Sequence, residues 1–433
     1  MKRPNILLLF PDQWRGDWMP EINEALPLEL PNIRKLMQKG AVFVNCSTPS
    51  PLCAPARACL ASGKIYENCG VHSNAEDYPL QQRTFYSVLK EQGYHVGGTG
   101  KFDLHKKTHF WGLDGWIDAL EILGFTDAVD NEGKMDGFNS GKETPQGPYM
   151  KFLHDNGYAA LHIADYTRRK QEPGYTGVTP LPDDAYCDNW ITNRTLEMLD
   201  RFDDGRPWFL QVNFTGPHAP FDVTARMKQG QKNKRYPPAA GSEADPEKIN
   251  EQRQNYAAMM ENIDRNIGRI LDKLKNKGQV ENTVVFFCAD HGDMMGDKGM
   301  YGKANPYRGS VRIPLVISGN DIVPGTREQL VQLQDLAATI VELAGAVMPE
   351  ADGAISMMPL LKDLNAAWPR RWQVAALNQW RMITNGSYKA VMHNGVLTEV
   401  YDLVDDAFEL KNIIGKYPQM EQTMLEAFKG GKL

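Results

Sequence analysis

The sequence predicts an α/β fold: a doubly wound, mostly parallel sheet flanked by helices, then a small C-terminal α+β unit carrying an antiparallel sheet. Three observations predict it. Short apolar runs rich in β-formers recur and each ends in polar or charged residues, as strands covered on both faces do. A clear helical stripe separates two of these runs. After about Pro369 the pattern changes to polar–apolar alternation broken by Asn-Gly pairs.

The runs are "ILLLF" before Asp12, "GYHVGGTG" before Lys101, "WFLQVNF" before "TGPHAPF", and "TVVFFCA" before Asp290. Between the last two, Tyr256, Met260, Ile263, Ile267, Leu271 and Leu274 recur every three or four residues, and Gly278 stops them. Strands alternating with helices make a parallel sheet. The segment 226–248, "RMKQGQKNKRYPPAAGSEADPEK", reads as one exposed, mobile insertion. Near the end, Asn-Gly at 385–386 and 394–395 between alternating runs signals hairpins, closed by a helix around "PQMEQTMLEAFK". Two units are expected: a catalytic one over residues 1–368 and a small one over 369–433.

Composition narrows the function classes. The chain has 433 residues, 42% hydrophobic and 24% charged, and a formal net charge of −6. That balance gives no reason to expect nucleic acid or an anionic membrane as partner. No run of eighteen apolar residues exists, so no membrane span is expected. The first strand starts at Asn5, leaving no room for a leader, so a cytoplasmic location is expected (periplasmic if a leader has been trimmed). The six cysteines at 46, 53, 59, 69, 187 and 288 show no C-x-x-C pair and suit a reducing compartment.

In doubly wound folds ligands bind outside the carboxyl ends of the strands. Here those ends deliver Asp12, Lys101, His218 and Asp290. Asp12-Gln13 and Asp290-His291 together offer carboxylates, an amide and an imidazole, a set suited to a divalent cation. Asp293 and Asp297 lie nearby in a glycine-rich loop and are read as solvated. In "SPLCAPARACLASGK" Pro55 fits the first turn of a helix, which places Cys53 at a helix N-terminus that favours anions. Arg57 adds a fixed cation suited to a tetrahedral oxyanion. A metal, an arginine and a helix end around one position describe a site for sulfate or phosphate esters.

These blocks resemble the sulfatase family of the alkaline phosphatase superfamily over nearly the full chain. "CAPAR" matches the C-x-P-x-R signature. "PNILLLFPDQ", "GTGKFDLH", "GPHAPF", "ADHGDMMGDKGMYGKANPYRGSVRIPLVISG" and "YKAVMHNGVLTEVYDL" resemble family blocks in the family's order. The resemblance implies that Cys53 is oxidised to formylglycine by a separate maturation enzyme and hydrates to a diol that binds the metal and attacks sulfur. It implies Asp12, Gln13, Asp290 and His291 as metal ligands together with the modified Cys53, and Asp290 as acceptor of the attacking hydroxyl's proton. It implies Arg57 as orienting the diol, with Lys101, His218 and Lys303 around the sulfate and His218 or Lys303 as general acid. Asn74 is expected near the sulfate oxygens.

Two departures stand out. Gln13 and His291 replace an aspartate and an asparagine common in the family, a combination similar to choline sulfatases and to phosphonate monoester or phosphodiester hydrolases. Calcium is the expected ion, with manganese or magnesium as alternatives. At "GKFDLH" the family's usual histidine is absent. Asp103 is expected to break the sulfated intermediate, or else to pair with a nearby lysine and orient it, and His105 to contact substrate or support the site. Trp14, Trp111 and Trp380 stand beside cationic residues, which suggests a carbohydrate sulfate, a small molecule or an oligosaccharide. The alternatives are a phosphonate monoester or phosphodiester hydrolase with the same site, and a catalytically dead protein that binds anionic glycans. The oligomeric state stays open.

Overall fold

The computed structural model describes residues 3–20, 22–23, 25–202 and 205–429. Its fourteen strands, in chain order, are β1 (Asn5–Asp12), β2 (Gly40–Phe43), β3 (Cys46–Ser47), β4 (His95–Gly100), β5 (Asp127–Asp130), β6 (Trp208–Pro217), β7 (Thr283–Cys288), β8 (Leu315–Ser318), β9 (Gly325–Arg327), β10 (Val331–Gln332), β11 (Gln373–Leu377), β12 (Trp380–Thr384), β13 (Tyr388–His393) and β14 (Val396–Asp402). Eight of them form the central sheet in the order β5-β4-β6-β1-β7-β8-β2-β9. All pairs are parallel except those made by β8, which runs against β7 and β2. The four runs read from the sequence are β1, β4, β6 and β7, and they lie side by side in the middle of the sheet. Every residue of β1, β6 and β7 is buried, which is why these strands carry no polar alternation.

The predicted helical stripe lies in a helix spanning Pro246–Asn276, ten residues longer at its start than the stripe. Asp245 begins it: its side chain accepts the Glu247 N–H at 3.0 Å, and Pro246 supplies the first helical residue. The segment 226–248 is therefore not a free insertion. It contains a short helix, Ala225–Gly230, capped by Thr224. Tyr236 stacks on Trp18 with ring centres 5.4 Å apart, and Lys234 pairs with Glu261 at 2.8 Å. An aromatic ring and a charge complement on the long helix pull the chain down, and local composition could not register them.

Strands β11 to β14 form an antiparallel meander in sequence order. Asn394 and Gly395 both have positive φ, 50° and 78°, as a two-residue hairpin turn between β13 and β14 requires. One face of this sheet, including Leu377, Met382, Val391 and Tyr401, belongs to the main core. The other face buries Val374, Ile383 and Ala390 under Met424 of the helix Pro418–Lys429.

All six cysteines are buried and free. The loop after β7 is also buried: Asp293 is fully enclosed and Asp297 nearly so, contrary to their reading as solvated residues. Asp297 holds two guanidinium groups, Arg15 at 2.6 Å and Arg253 at 2.9 Å. Glycine-rich composition suggested exposure, but two arginines bring the carboxylate inside. Asp297→Ala would leave Arg253 buried without its carboxylate, while Arg15 keeps Asp17 at 2.6 Å; breaking such a buried pair typically costs about 3–5 kcal/mol. Urea unfolding should show a loss of that order; a change under about 1 kcal/mol would mean the pairs are not what holds this loop.

Candidate active site

The order β4-β6-β1-β7 brings four strand ends together at one edge of the sheet. Lys101 follows β4, Thr215 and His218 come at the end of β6, Asp12 closes β1, and Asp290 follows β7. Gly100 allows the first of these: with φ 92°, a Cβ there would lie 1.9 Å from the Asn213 carbonyl oxygen of β6. That close approach lets the Lys101 N–H bond to the same carbonyl at 3.1 Å and aims its side chain into the cleft.

Cys53 is the first residue of a helix, Cys53–Ser62, whose ten residues are all buried. The N-cap Leu52 offers no side-chain acceptor; Asn74 Oδ1 accepts the Ala54 N–H at 3.0 Å instead. Sγ of Cys53 lies 3.3 Å from His291 Nε2, 3.2 Å from Lys303 Nζ and 3.9 Å from Asp12 Oδ1. One ligand atom each from Asp12, Cys53, Asp290 and His291 falls within 4.8 Å of the others.

This group fits a divalent cation by its donor chemistry. His291 Nδ1 lies 3.1 Å from the Gly292 carbonyl, which can only accept, so Nδ1 carries the proton and the Nε2 lone pair is free to ligate. Asp12 and Asp290 supply two carboxylates of the hard type. Gln13 sits at the edge of the group. With φ 69°, it gives its main-chain N–H to Asp290 Oδ1 at 2.9 Å, while its amide oxygen takes Lys303 Nζ at 2.6 Å and its amide nitrogen bonds Asp293. Its turn is clamped from the long helix, because the Tyr256 hydroxyl donates to the Gln13 carbonyl at 2.7 Å and accepts the Arg15 N–H at 2.9 Å.

Cations surround the two carboxylates. The Arg57 guanidinium reaches Asp290 Oδ2 at 3.0 Å, Asp12 Oδ2 at 3.4 Å and the Lys101 carbonyl. Burial alone would raise the pKa of Asp12, but Lys101, His218, Lys303 and Arg57 hold it well below the ordinary range. Burial and Asp12 push the Cys53 thiol up, yet Lys101, Lys303 and His291 outweigh them and bring it well below the usual thiol value. Position 53 is thus a place where negative charge is favoured.

A cavity of about 160 Å³ opens beside Cys53 and is lined by Asn74, Lys101, Lys106, Lys134, Asp136, Thr215 and His218 among others. Lys106, Lys134 and Thr215 were not singled out in the sequence. The lysines of "HKKTHFWGLDGW" were read only as cations beside Trp111, and β5, whose end precedes Lys134, spans only four residues. Lys134 Nζ bonds Asp222 at 2.7 Å and the His218 carbonyl at 3.3 Å. A second, mainly apolar cavity of about 650 Å³ adjoins the first through Met135 and His218, with Tyr175, Phe221 and Tyr301 on its walls.

Three expectations need correction. Asp103 is buried and pairs with Lys101 at 3.1 Å and Lys106 at 2.9 Å. Burial raises its pKa, but the two lysines more than reverse that, so it is a poor proton acceptor and fits the orienting of lysines better than the breaking of an intermediate. His105 is bonded to Asp130 at 2.6 Å, is 4% exposed, and does not line the cavity. Trp14, Trp111 and Trp380 are 0%, 1% and 6% exposed, so they pack the interior and offer no face to a sugar.

Comparison with known proteins agrees with this geometry. The family model described as Sulfatase matches residues 4–346, and one described as the C-terminal part of N-sulphoglucosamine sulphohydrolase matches 296–429. A choline-sulfatase of Rhizobium meliloti is 28% identical over 465 residues, covering 99% of this chain and 86% of that protein. An N-acetylglucosamine-6-O-sulfatase of Bacteroides thetaiotaomicron is 24% identical, covering 98% and 85%. The structure of a phosphonate monoester hydrolase of Agrobacterium radiobacter superposes with a TM-score of 0.81 at 21% identity, covering 99% and 95%.

Asp12→Ala and Asp290→Ala should each reduce bound divalent metal from about one per chain to a small fraction, since losing a charged ligand from such a site lowers affinity steeply. Elemental analysis of purified, folded variants checks this. Undiminished metal in Asp290→Ala would remove that residue from the ligand set.

Proposed function

This chain belongs to the sulfatase family and is a sulfuric ester hydrolase, and we propose that it acts through residue 53 on a sulfate monoester whose alcohol carries a ring, such as a sugar or an arene. One observation carries the reading: His291 Nε2, Lys303 Nζ and Asp12 Oδ1 all converge on Cys53 Sγ at 3.2–3.9 Å, at a helix N-terminus.

In this reading a maturation enzyme converts Cys53 to formylglycine, and the hydrated aldehyde places a hydroxyl where Sγ now lies. Asp12, Asp290 and His291, with the modified residue 53 and Gln13 alongside, would hold one divalent cation, calcium first among the candidates. When bound, such a cation supplies a lowered hydroxyl pKa and neutralises ester charge. Arg57 pairs with both Asp12 and Asp290, and Asp290 receives the proton of the attacking hydroxyl. Lys101 and Lys303 flank the sulfate oxygens and stabilise the charge that grows on them. His218 borders both cavities, the position of the bridging ester oxygen, and protonates the departing alcohol.

The alcohol then occupies the larger cavity. Tyr175, Phe221 and Tyr301 give ring faces, while Arg169, Lys170 and Lys248 on the same walls oppose a quaternary ammonium group. A neutral or anionic ring fits these walls better than choline does, although a choline-sulfatase is among the relatives.

Mass spectrometry of protein made together with the maturation enzyme should find residue 53 lighter by about 18 Da, the change from thiol to aldehyde, and Cys53→Ala should abolish turnover. Full activity in Cys53→Ala would end the proposal. With the modified enzyme, an aryl sulfate should turn over faster than the matching phosphodiester or phosphonate; the reverse order would move the chain to the phosphonate class.

His218→Ala should slow an alkyl sulfate by about 10²–10⁴-fold but a nitrophenyl sulfate much less, because a good leaving group needs no proton. Steady-state rates across a series of leaving groups check this, and equal losses along the series would assign the acid elsewhere.

A further inference from the structure

A second cavity set apart from Cys53 lies at the seam between the main body and the C-terminal sheet. It measures about 100 Å³ and is lined by Ser47 of β3, by Arg308 and Arg312, and by Gln373, Thr384 and Lys389 of the small sheet, with Glu409 closing one side. Three cations and one carboxylate therefore face it. The carboxylate is already committed: Glu409 binds Lys389 through one oxygen and accepts the Arg308 main-chain N–H at 2.7 Å through the other.

The two arginines are left over. They sit four residues apart on one helical turn, Arg308–Val311 and its C-cap Arg312. Among the described residues neither makes an ion pair with a carboxylate; Arg308 reaches the Ala407 carbonyl at 3.5 Å and Arg312 the Val44 carbonyl. Burial, and then the charge of Arg308, bring the Arg312 guanidinium down to about 10, with Asp17 opposing. Two donors at the cavity are unused: Ser47 Oγ, on a residue 4% exposed, and Arg308 Nε. Both guanidinium groups are only partly buried, but the enclosed Arg308 Nε and Ser47 Oγ have no acceptor or donor partner, and an anion in the cavity would complete them.

We propose that this seam cavity binds a small tetrahedral dianion of the sulfate or phosphate class, held by Arg308, Arg312 and Ser47. The net charge of the lining matches a dianion, and the volume is ample for one with a water molecule beside it. The ion is held from the catalytic body and lies against Gln373, Thr384 and Lys389 of the small sheet, and its occupancy adds to the stability of the folded chain by linkage.

The test uses the full chain and inorganic sulfate and phosphate. Thermal unfolding in either salt is compared with chloride at equal ionic strength, for wild type, Arg308→Gln and Ser47→Ala. Wild type should gain Tm with rising dianion, and Arg308→Gln should need about ten times more for the same gain, with Ser47→Ala in between. Anion bound at the catalytic site is read separately as competitive inhibition of turnover, which both variants should retain. Crystals soaked in selenate should show an anomalous peak within bonding distance of Arg308, Arg312 and Ser47. Equal dianion responses in wild type and in whichever variants fold, or a selenate peak only beside Cys53, would overturn the proposal.

Discussion

Two aspartates from neighbouring strand ends, Asp12 and Asp290, are wholly buried within bonding distance of one guanidinium, that of Arg57. Much of the molecule follows from satisfying that arrangement. Carboxylates out of water must be paired or coordinated. The answer draws in Lys101 from the next strand but one, His291 from the loop after β7, and Lys303 beyond it. Arg57 reaches both acids from a helix that is buried along its full length. The chemistry at residue 53 and the packing of the first helical turn are therefore one constraint seen from two sides.

Supporting contacts extend outward from it. Asp293 takes the Gln13 amide and the main-chain N–H groups of Met295 at 2.7 Å and Gly302 at 3.0 Å, which fixes the loop that carries Lys303. Tyr256, a member of the helical stripe, holds the Gln13–Arg15 turn from the opposite side. Lys134 ties the His218 segment to Asp222. Most of these contacts join parts of the chain far apart in sequence, so the site depends on the fold and not on any one loop.

That distribution explains what could be read beforehand. Continuous apolar runs ending in Asp12, Lys101, the His218 segment and Asp290 marked the central strands and, with them, the edge where the site lies. The signal was strong because buried parallel strands leave few polar residues to confuse the endpoint. For Asp103 the sequence left two roles open, and the choice depends on Lys101 and Lys106, partners whose direction in space a local pattern does not give. Lys134 was missed because β5 is too short to read as a strand. The tryptophans beside charges suggested a binding face, yet Trp14 meets Phe287 edge to face at 5.1 Å inside the core. Asp297 failed because polar composition predicts exposure only when no buried partner carries the opposite charge; the segment 226–248 is largely exposed as expected, and only its tethering through Tyr236 and Lys234 escaped a local reading.

The central claim is that residue 53 itself takes the sulfuryl group. A serine in its place would keep one attacking hydroxyl but lack the second, the one that expels sulfate from the hydrated aldehyde. Cys53→Ser, incubated with an aryl sulfate, should therefore release one alcohol per chain and then stop. Intact mass and peptide mapping should locate a gain of about 80 Da at residue 53, a covalent sulfate ester that persists. Continuous turnover without an adduct, or an adduct at another residue, would contradict the account.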